Sequence, residues 1–365
     1  MAQSSRERET EGIKETVLIP TIVYAARVKD RELLERSSSG GAFTAISDYF
    51  LEDGNAVVCA IYNYELHQTE FCLVTDKKAR EQALGSKYMQ SNPGIIYKTT
   101  LQWLKDKPDK MLLFVGMGCQ ADGFRKFAET MRIRDRVIVV DIICHGTPSP
   151  KLWREYANVL ENKHNGKIKY LTFKDKRNGW NHPTAVAQIN GVEISLREYV
   201  KIFYNKCALR PSCHECPYAT TERKTDITIG DFWHIEKTIP DFYDPQGTSV
   251  FLIHTEQGLE LFDRIKDNLE YCISNTEECW QINLERPTEK SPMREQFWSD
   301  YQAKGIEFIM KKYGNDSLHK KVKNKLKRMF GGGCLTDIYG TDTEFSETGY
   351  ETYFIAMPDL YGRTA

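Results

Sequence analysis

The stretch KMLLFVGMGCQADGFRKFAETMRIRDRVIVVDIIC, residues 110–144, decides the fold. Two runs inside it, KMLLFVG (Lys110–Gly116) and RVIVVDIIC (Arg136–Cys144), are apolar almost without interruption, which is the pattern of strands buried on both faces. Between them CQADGFRKFAETM spaces its apolar residues as an amphipathic helix does. A buried strand, a helix and a second buried strand make a parallel crossover unit, because parallel neighbours need a connection long enough to return along the sheet. The flanks repeat the alternation, with helices predicted at GIIYKTTLQWLKD before the unit and at SPKLWREYANVLENK after it. The fold class read from this is α/β: a mostly parallel sheet flanked by helices, with a smaller mixed cysteine-containing region and a helical C-terminal segment. In such sheets ligands gather at the carboxyl ends of the strands, where Cys119 and Cys144 both stand.

Toward the N-terminus, TIVYAAR (Thr21–Arg27), AVVCAIYN (Ala56–Asn63) and EFCLVT (Glu70–Thr75) read as further strands. SSSGGAFTAISDYFLEDG between the first two changes period: Phe43, Ile46, Tyr49 and Phe50 follow helical spacing behind serines and glycines suited to a cap and turn. Toward the C-terminus the texture shortens to KIKYLTFKD, TAVAQING and VEISLR, followed by the cysteine-rich stretch from Cys207 to Cys216. DITIGDFWHI and TSVFLIHT are again strand-like, and EQGLELFDRIKDNL is helical. The organisation expected is a polar tail over residues 1–19, an α/β domain over 20–288, and a helical extension and tail over 289–365, punctuated by the glycines before Cys334.

Composition narrows the function classes. The chain has 365 residues, of which 41% are hydrophobic and 12% aromatic, enough to bury a core. Fifty Lys and Arg against 51 Asp and Glu leave no global field to recruit nucleic acid or an anionic membrane. The charged N-terminus has no apolar signal core, and no run approaches the ~20 apolar residues that span a bilayer. A cytoplasmic location is therefore expected. In a reducing compartment ten cysteines point to metal binding, catalysis or simple burial rather than a disulfide framework.

Cys213 and Cys216 form a C-x-x-C pair followed by Pro217, and two thiolates so spaced reach one metal centre. Cys119 in VGMGCQ and Cys144 in DIICHG supply the remaining pair, each beside glycines that let the backbone turn tightly. An iron–sulfur centre and a zinc site, with His145 or His214 as substitutes, both remain open on spacing alone. Cys59 and Cys72 sit within apolar runs and read as core thiols. Cys272, Cys279 and Cys334 have no spacing partner.

A second site is written in SSSGG (Ser37–Gly41), which opens a helix. Backbone N–H groups, serine hydroxyls and the positive helix end make an anion site suited to phosphate. GSKYMQSNPG (Gly85–Gly94) adds a lysine, a tyrosine and several amides in a Gly- and Pro-bounded loop.

Taken in order, SSSGGAF, GSKYMQS, the Cys119 turn, DIICHGTPSP, FKDKRNGW, CALRPSCHECPY and DITIGDFW resemble the coenzyme F420 hydrogenase/dehydrogenase beta-subunit family over roughly Val23 to Thr255. The resemblance implies an oxidoreductase with a flavin, FAD or FMN, bound to an α/β domain beside a [4Fe–4S] cluster that passes electrons to a partner. It assigns the cluster to Cys119, Cys144, Cys213 and Cys216, with Cys207 in reserve. Flavin contacts are assigned to Ser39, Gly40 and Gly41 and to Gly85, Ser86, Lys87, Tyr88 and Gln90. The family's Thr-Pro before the first cluster cysteine is Met117-Gly118 here, and the family's N-terminal ferredoxin-like segment is absent before Cys59. A ferredoxin or another redox subunit is then the expected electron carrier, steered by Arg210, Arg223 and Lys224. The resemblance also connects the chain to bacterial surface-polysaccharide biosynthesis.

A flavin converts single electrons into hydride chemistry on an organic substrate or a deazaflavin-like coenzyme, and Lys87, Tyr88 and His145 are the candidate proton donors or supports for the reduced ring. Asp231 is read as a loop anchor, and Phe232 and Trp233 as packing residues. The rival reading is a non-redox structural zinc protein organising a glycan-synthesis assembly. Colour separates the two, since flavin and cluster absorb visible light and zinc does not.

Overall fold

A computed structural model describes residues 16–315. Twelve strands are present among them: β1 (Leu18–Val28), β2 (Ala56–Asn63), β3 (Gln68–Val74), β4 (Ser91–Asn92), β5 (Leu112–Met117), β6 (Val137–Ile142), β7 (Ile168–Asp175), β8 (Thr184–Ile189), β9 (Val192–Ser195), β10 (Ile227–Asp231), β11 (Ser249–Thr255) and β12 (Leu269–Ser274). Nine of them form one sheet in the order β12-β1-β11-β10-β6-β5-β2-β3-β4. Its centre, β10-β6-β5-β2, is parallel throughout. Antiparallel pairs flank that centre, with β3 against β2 on one side and β11, β1 and β12 on the other.

The strand runs are apolar because each face has its own cover. Along β2, β5 and β6 the residues Val57, Cys59, Leu113, Val115, Ile138 and Val140 point to one core, under the helices Ala42–Glu52 and Glu256–Ile265. Their neighbours Val58, Leu112, Phe114, Val137 and Val139 point to the other, under Ile96–Asp106 and Gly118–Thr130. Side chains alternate along a strand, so a sheet covered twice demands apolar residues at every position. The α/β class expected from residues 110–144 is the fold observed.

The smaller region is a three-stranded antiparallel sheet, β7-β8-β9. It shares a second core with the helices Pro150–Lys163, Arg197–Tyr204 and Arg294–Tyr313, built on Trp153, Tyr156, Tyr199 and Phe297. The last helix lies within the helical segment expected after residue 288. The glycine run before Cys334 lies outside the described residues, as does most of the 1–19 tail, and the first strand begins at Leu18. No helix among the described residues is long and apolar enough to cross a membrane.

Candidate functional site

A cavity of about 750 Å³ opens at the carboxyl ends of the parallel strands, lined there by Met117, Ile142 and Asp231. One wall is the SSSGG turn. Ser38, Ser39 and Gly41 face the cavity together with Ala42, Phe43 and Thr44, the first turn of the helix Ala42–Glu52. Gly41 occupies the N-cap position in left-handed geometry, and no side chain caps the helix. The turn is fixed from behind: Ser39 Oγ donates to the Thr248 carbonyl (2.6 Å), the Gly40 amide donates to Ser249 Oγ (2.9 Å), and the Val28 amide donates to the Gly40 carbonyl (2.9 Å). Gly40 does not line the cavity. A Cβ there would stand 2.4 Å from the Ala26 carbonyl oxygen and 2.5 Å from the Ser249 amide nitrogen, so its smallness lets the turn press against β1 and β11.

The Gly85–Gln90 loop forms the adjoining wall. Gly85, Ser86, Lys87 and Tyr88 line the cavity, whereas Gln90 turns away and accepts a hydrogen bond from Arg210. Lys87 Nζ donates to the carbonyls of Ala83 (2.6 Å), Leu84 (3.0 Å) and Gly85 (3.1 Å), which closes the loop on itself. Burial pulls its pKa down to about 8, because the ammonium has lost water without gaining a carboxylate. The Tyr88 ring stacks on Phe203 with centroids 4.4 Å apart, and its hydroxyl is 3.0 Å from that of Tyr204.

Cys144 stands on the far wall, with the other candidate cysteines behind it outside the lining. Cys144 lines the cavity just past β6, and its sulfur accepts from the Gly146 amide at 3.4 Å. The 207–216 loop is tied to the same turn, by a bridge between Pro148 and Leu209 and by the Arg210 amide donating to the Thr147 carbonyl (3.0 Å). A Cβ on Gly146 would lie 3.2 Å from the Cys213 Cβ. Cys213 rides the short 3₁₀ turn Pro211–Glu215, and Cys216 follows it. Cys119 falls in the first turn of Gly118–Thr130, where the helix end favours a thiolate.

Cys144 and Cys119 sense the other thiols. Burial pushes Cys144 up to about 12, and Cys213, Cys119 and Cys216 press in the same direction. Cys119 belongs to an exposed residue, yet crowding by protein raises its thiol, reinforced by Cys216 and Cys213. Among the described residues no group of three or more His, Cys, Asp or Glu stands close enough to hold a single metal ion. Thr288 binds this wall together, donating to the His145 carbonyl (2.6 Å) while its own carbonyl accepts from His214 Nδ1 (2.8 Å). Burial pulls the His145 imidazole down to about 4, so it is neutral at pH 7. Its ring lies 5.2 Å from that of Phe203.

The other cysteines are placed as filling. Cys207 is fully buried in the second core with its sulfur 3.5 Å from Ser291 Oγ, and Cys279 is fully buried against β1 and β11. Cys59 and Cys72 face each other across β2 and β3, with Cys59 reaching the cavity floor. Arg223, expected to steer a partner from the surface, is instead 8% exposed and paired with the fully buried Asp141 at 3.0 Å. Arg210 and Lys224 remain exposed.

Several cavity residues had no signal in a motif. Phe203 and Tyr204 come from the helix Arg197–Tyr204, whose amphipathic spacing in REYVKIFY was legible but attached to nothing. Asp231 does anchor: it pairs with Lys174 and accepts from Trp180 Nε1 (3.1 Å), while Trp233 stacks on Trp180 with centroids 5.1 Å apart.

An α/β protein whose parallel strands carry a helix N-terminus, a lysine loop and Cys144 to one cavity falls in the α/β class whose ligand sites lie at the carboxyl ends of the strands. Two family models give that class its particular member. The beta-subunit N-terminal model of coenzyme F420 hydrogenase/dehydrogenase matches residues 23–95, and the C-terminal model matches residues 109–278. The chain belongs to the coenzyme F420 hydrogenase/dehydrogenase beta-subunit family. A chain from the F420-reducing [NiFe] hydrogenase complex of Methanosarcina barkeri is similar at 19% identity, over 87% of this chain and 94% of that one, with a TM-score of 0.45. No curated protein matches.

Proposed function

We propose that this oxidoreductase uses a flavin and a [4Fe–4S] cluster held side by side, coupling one-electron transfer to hydride chemistry on an organic substrate. One observation carries the reading: the SSSGG turn, the Lys87 loop and Cys144 all line the same cavity. A flavin supplies a hydride acceptor that also takes single electrons from an adjacent cluster. The chain's own residues divide the rest of the work. The Ser38–Gly41 turn and the helix behind it bind phosphate through backbone N–H groups. Cys119, Cys144, Cys213 and Cys216 would hold the cluster, and what supports the set is that Cys144 feels the other three thiols and Cys119 feels Cys213 and Cys216.

Lys87 keeps a positive charge on the cavity wall at pH 7, suited to stabilising a reduced ring. Neutral His145 stands beside Cys144 without adding charge. Tyr88 and Phe203 provide a flat apolar surface between them. Exposed Arg210 and Lys224 near the cysteine loop suit an acidic ferredoxin or redox subunit. A link to surface-polysaccharide biosynthesis is the substrate context we favour.

Anaerobic purification should give a brown-yellow protein that releases FAD or FMN on heating and contains iron and sulfide. Reduced ferredoxin should reduce the flavin at a rate that falls with salt, while reduction by dithionite responds much less. Colourless protein after anaerobic reconstitution would overturn the reading.

A further inference from the structure

The segment FKDKRNGW, residues 173–180, makes no direct appearance in the redox machinery, yet it sends one side chain beneath the SSSGG turn. Lys176 is 8% exposed, and its Nζ donates to three carbonyls from two separate segments: Leu34 at 2.5 Å and Ser39 at 3.2 Å on one side, Gln246 at 2.8 Å on the other. Ser39 needs holding. It adopts φ +51, a left-handed conformation that is unfavourable for a residue with a Cβ. Its hydroxyl is fixed to the Thr248 carbonyl and its carbonyl to Lys176, so both of its polar oxygens are used from behind and its neighbours face the cavity.

We propose that Lys176 is the positioning residue of the phosphate-binding turn: a buried cation that clamps Leu34, Ser39 and Gln246 together and thereby presents the Ser38–Gly41 backbone to an anionic cofactor group. The inference rests on the flavin reading above and adds to it the residue that makes the turn competent. The charge matters as well as the reach. Burial pulls Lys176 down to about 8, with Asp231, Asp244 and Glu35 opposing that shift and Lys174 adding to it. Asp231 is itself committed to Lys174, and Asp244 to Arg31 and Arg27. Two of those three carboxylates are thus engaged elsewhere, and the Lys176 ammonium sits against the backbone carbonyls behind the turn.

The test compares Lys176→Met and Lys176→Gln with the wild-type full chain, each depleted of flavin and titrated with FAD, FMN and riboflavin, the last lacking phosphate. Lys176→Met should weaken FAD and FMN about tenfold to a hundredfold, the scale of a lost charged hydrogen bond, and leave riboflavin within about twofold. Lys176→Gln, which can donate without charge, should fall between. Wild-type affinity for FMN should decline as pH rises through about 8, and the decline should be shallower in both variants, in which Lys87 still titrates on the same cavity. Equal weakening of all three ligands, or no weakening of any, overturns the clamp. Amide hydrogen exchange on the flavin-free proteins separates the two readings: the clamp requires faster exchange at residues 38–44 in Lys176→Met with the central strands unchanged. If the wild-type chain binds none of the three ligands, the flavin reading falls, and unchanged exchange at 38–44 sinks the clamp independently.

Discussion

The two walls of the cavity are built on opposite plans. At the SSSGG turn the protein completes its own hydrogen bonds: Ser39, Gly40 and Val28 are each tied to a neighbouring strand or loop, and a buried lysine closes the rear. At the cysteine wall Cys144 and Cys119 are raised by burial and by the neighbouring thiols of Cys213 and Cys216, and no mutual bond joins the four. The first wall is preorganised by the protein alone. The second is assembled from three separate segments, and on the proposed reading a metal group would supply its cross-links. Preorganisation is inexpensive where backbone does the binding, whereas thiols crowded without metal repel as soon as they ionise.

The contrast is broken most severely at sulfur. Cys216→Ser or Cys213→Ser should remove essentially all iron and sulfide from anaerobically purified protein, while Cys59→Ser and Cys272→Ser retain wild-type content by chemical analysis. Iron unchanged in Cys216→Ser would show that the second wall is not the metal site. At the first wall the large effect is on stability. Gly40→Ala places a methyl against backbone of β1 and β11 and should lower the unfolding free energy by about 3 kcal/mol in denaturant titration. Gly85→Ala meets no atom within 4 Å and carries only the penalty of φ +79, about 1 kcal/mol.

The smallest effect is a slope. The folded chain binds Lys87's proton with a pKa of about 8, against an ordinary value of 10.5. Between those values the unfolded chain holds more protons, so Lys87 makes stability rise with pH across that window. Lys87→Met removes this contribution. The wild-type advantage over the variant should therefore grow from about pH 7 to about pH 10 in chemical unfolding, and a constant difference would mean that Lys87 is solvated.

Much of this was legible in the chain. AVVCAIYN is β2 residue for residue, and the period change after SSSGG marks the helix beginning at Ala42, because burial on two faces and helix capping are local demands. Cys119 and Cys144 could be placed at strand ends for the same reason. What stayed hidden is long-range. β12 reads as LEYCIS, exposed on one face and at the sheet edge, so its apolar signal is weak. The antiparallel flank of β11, β1 and β12 is a matter of which strands meet, and periodicity carries no such information. Arg223 looked like surface charge because its partner Asp141 lies far along the chain. Lys176 carried no signal of its own, since its acceptors are carbonyls, which no sequence spells out.

The pairing of β1 has a consequence for how the protein is made. Among the described residues the strands that β1 pairs with are β11 and β12, which reach the ribosome exit long after it. At ~5–20 residues per second the nascent LIPTIVYAARV segment waits on the order of ten seconds or more for its partners, an apolar strand in need of protection. The glycine turn hangs from that same junction, through Val28, Thr248 and Ser249. The turn therefore reaches its final form only after synthesis has passed the start of β11, against a sheet whose parallel centre has already been translated.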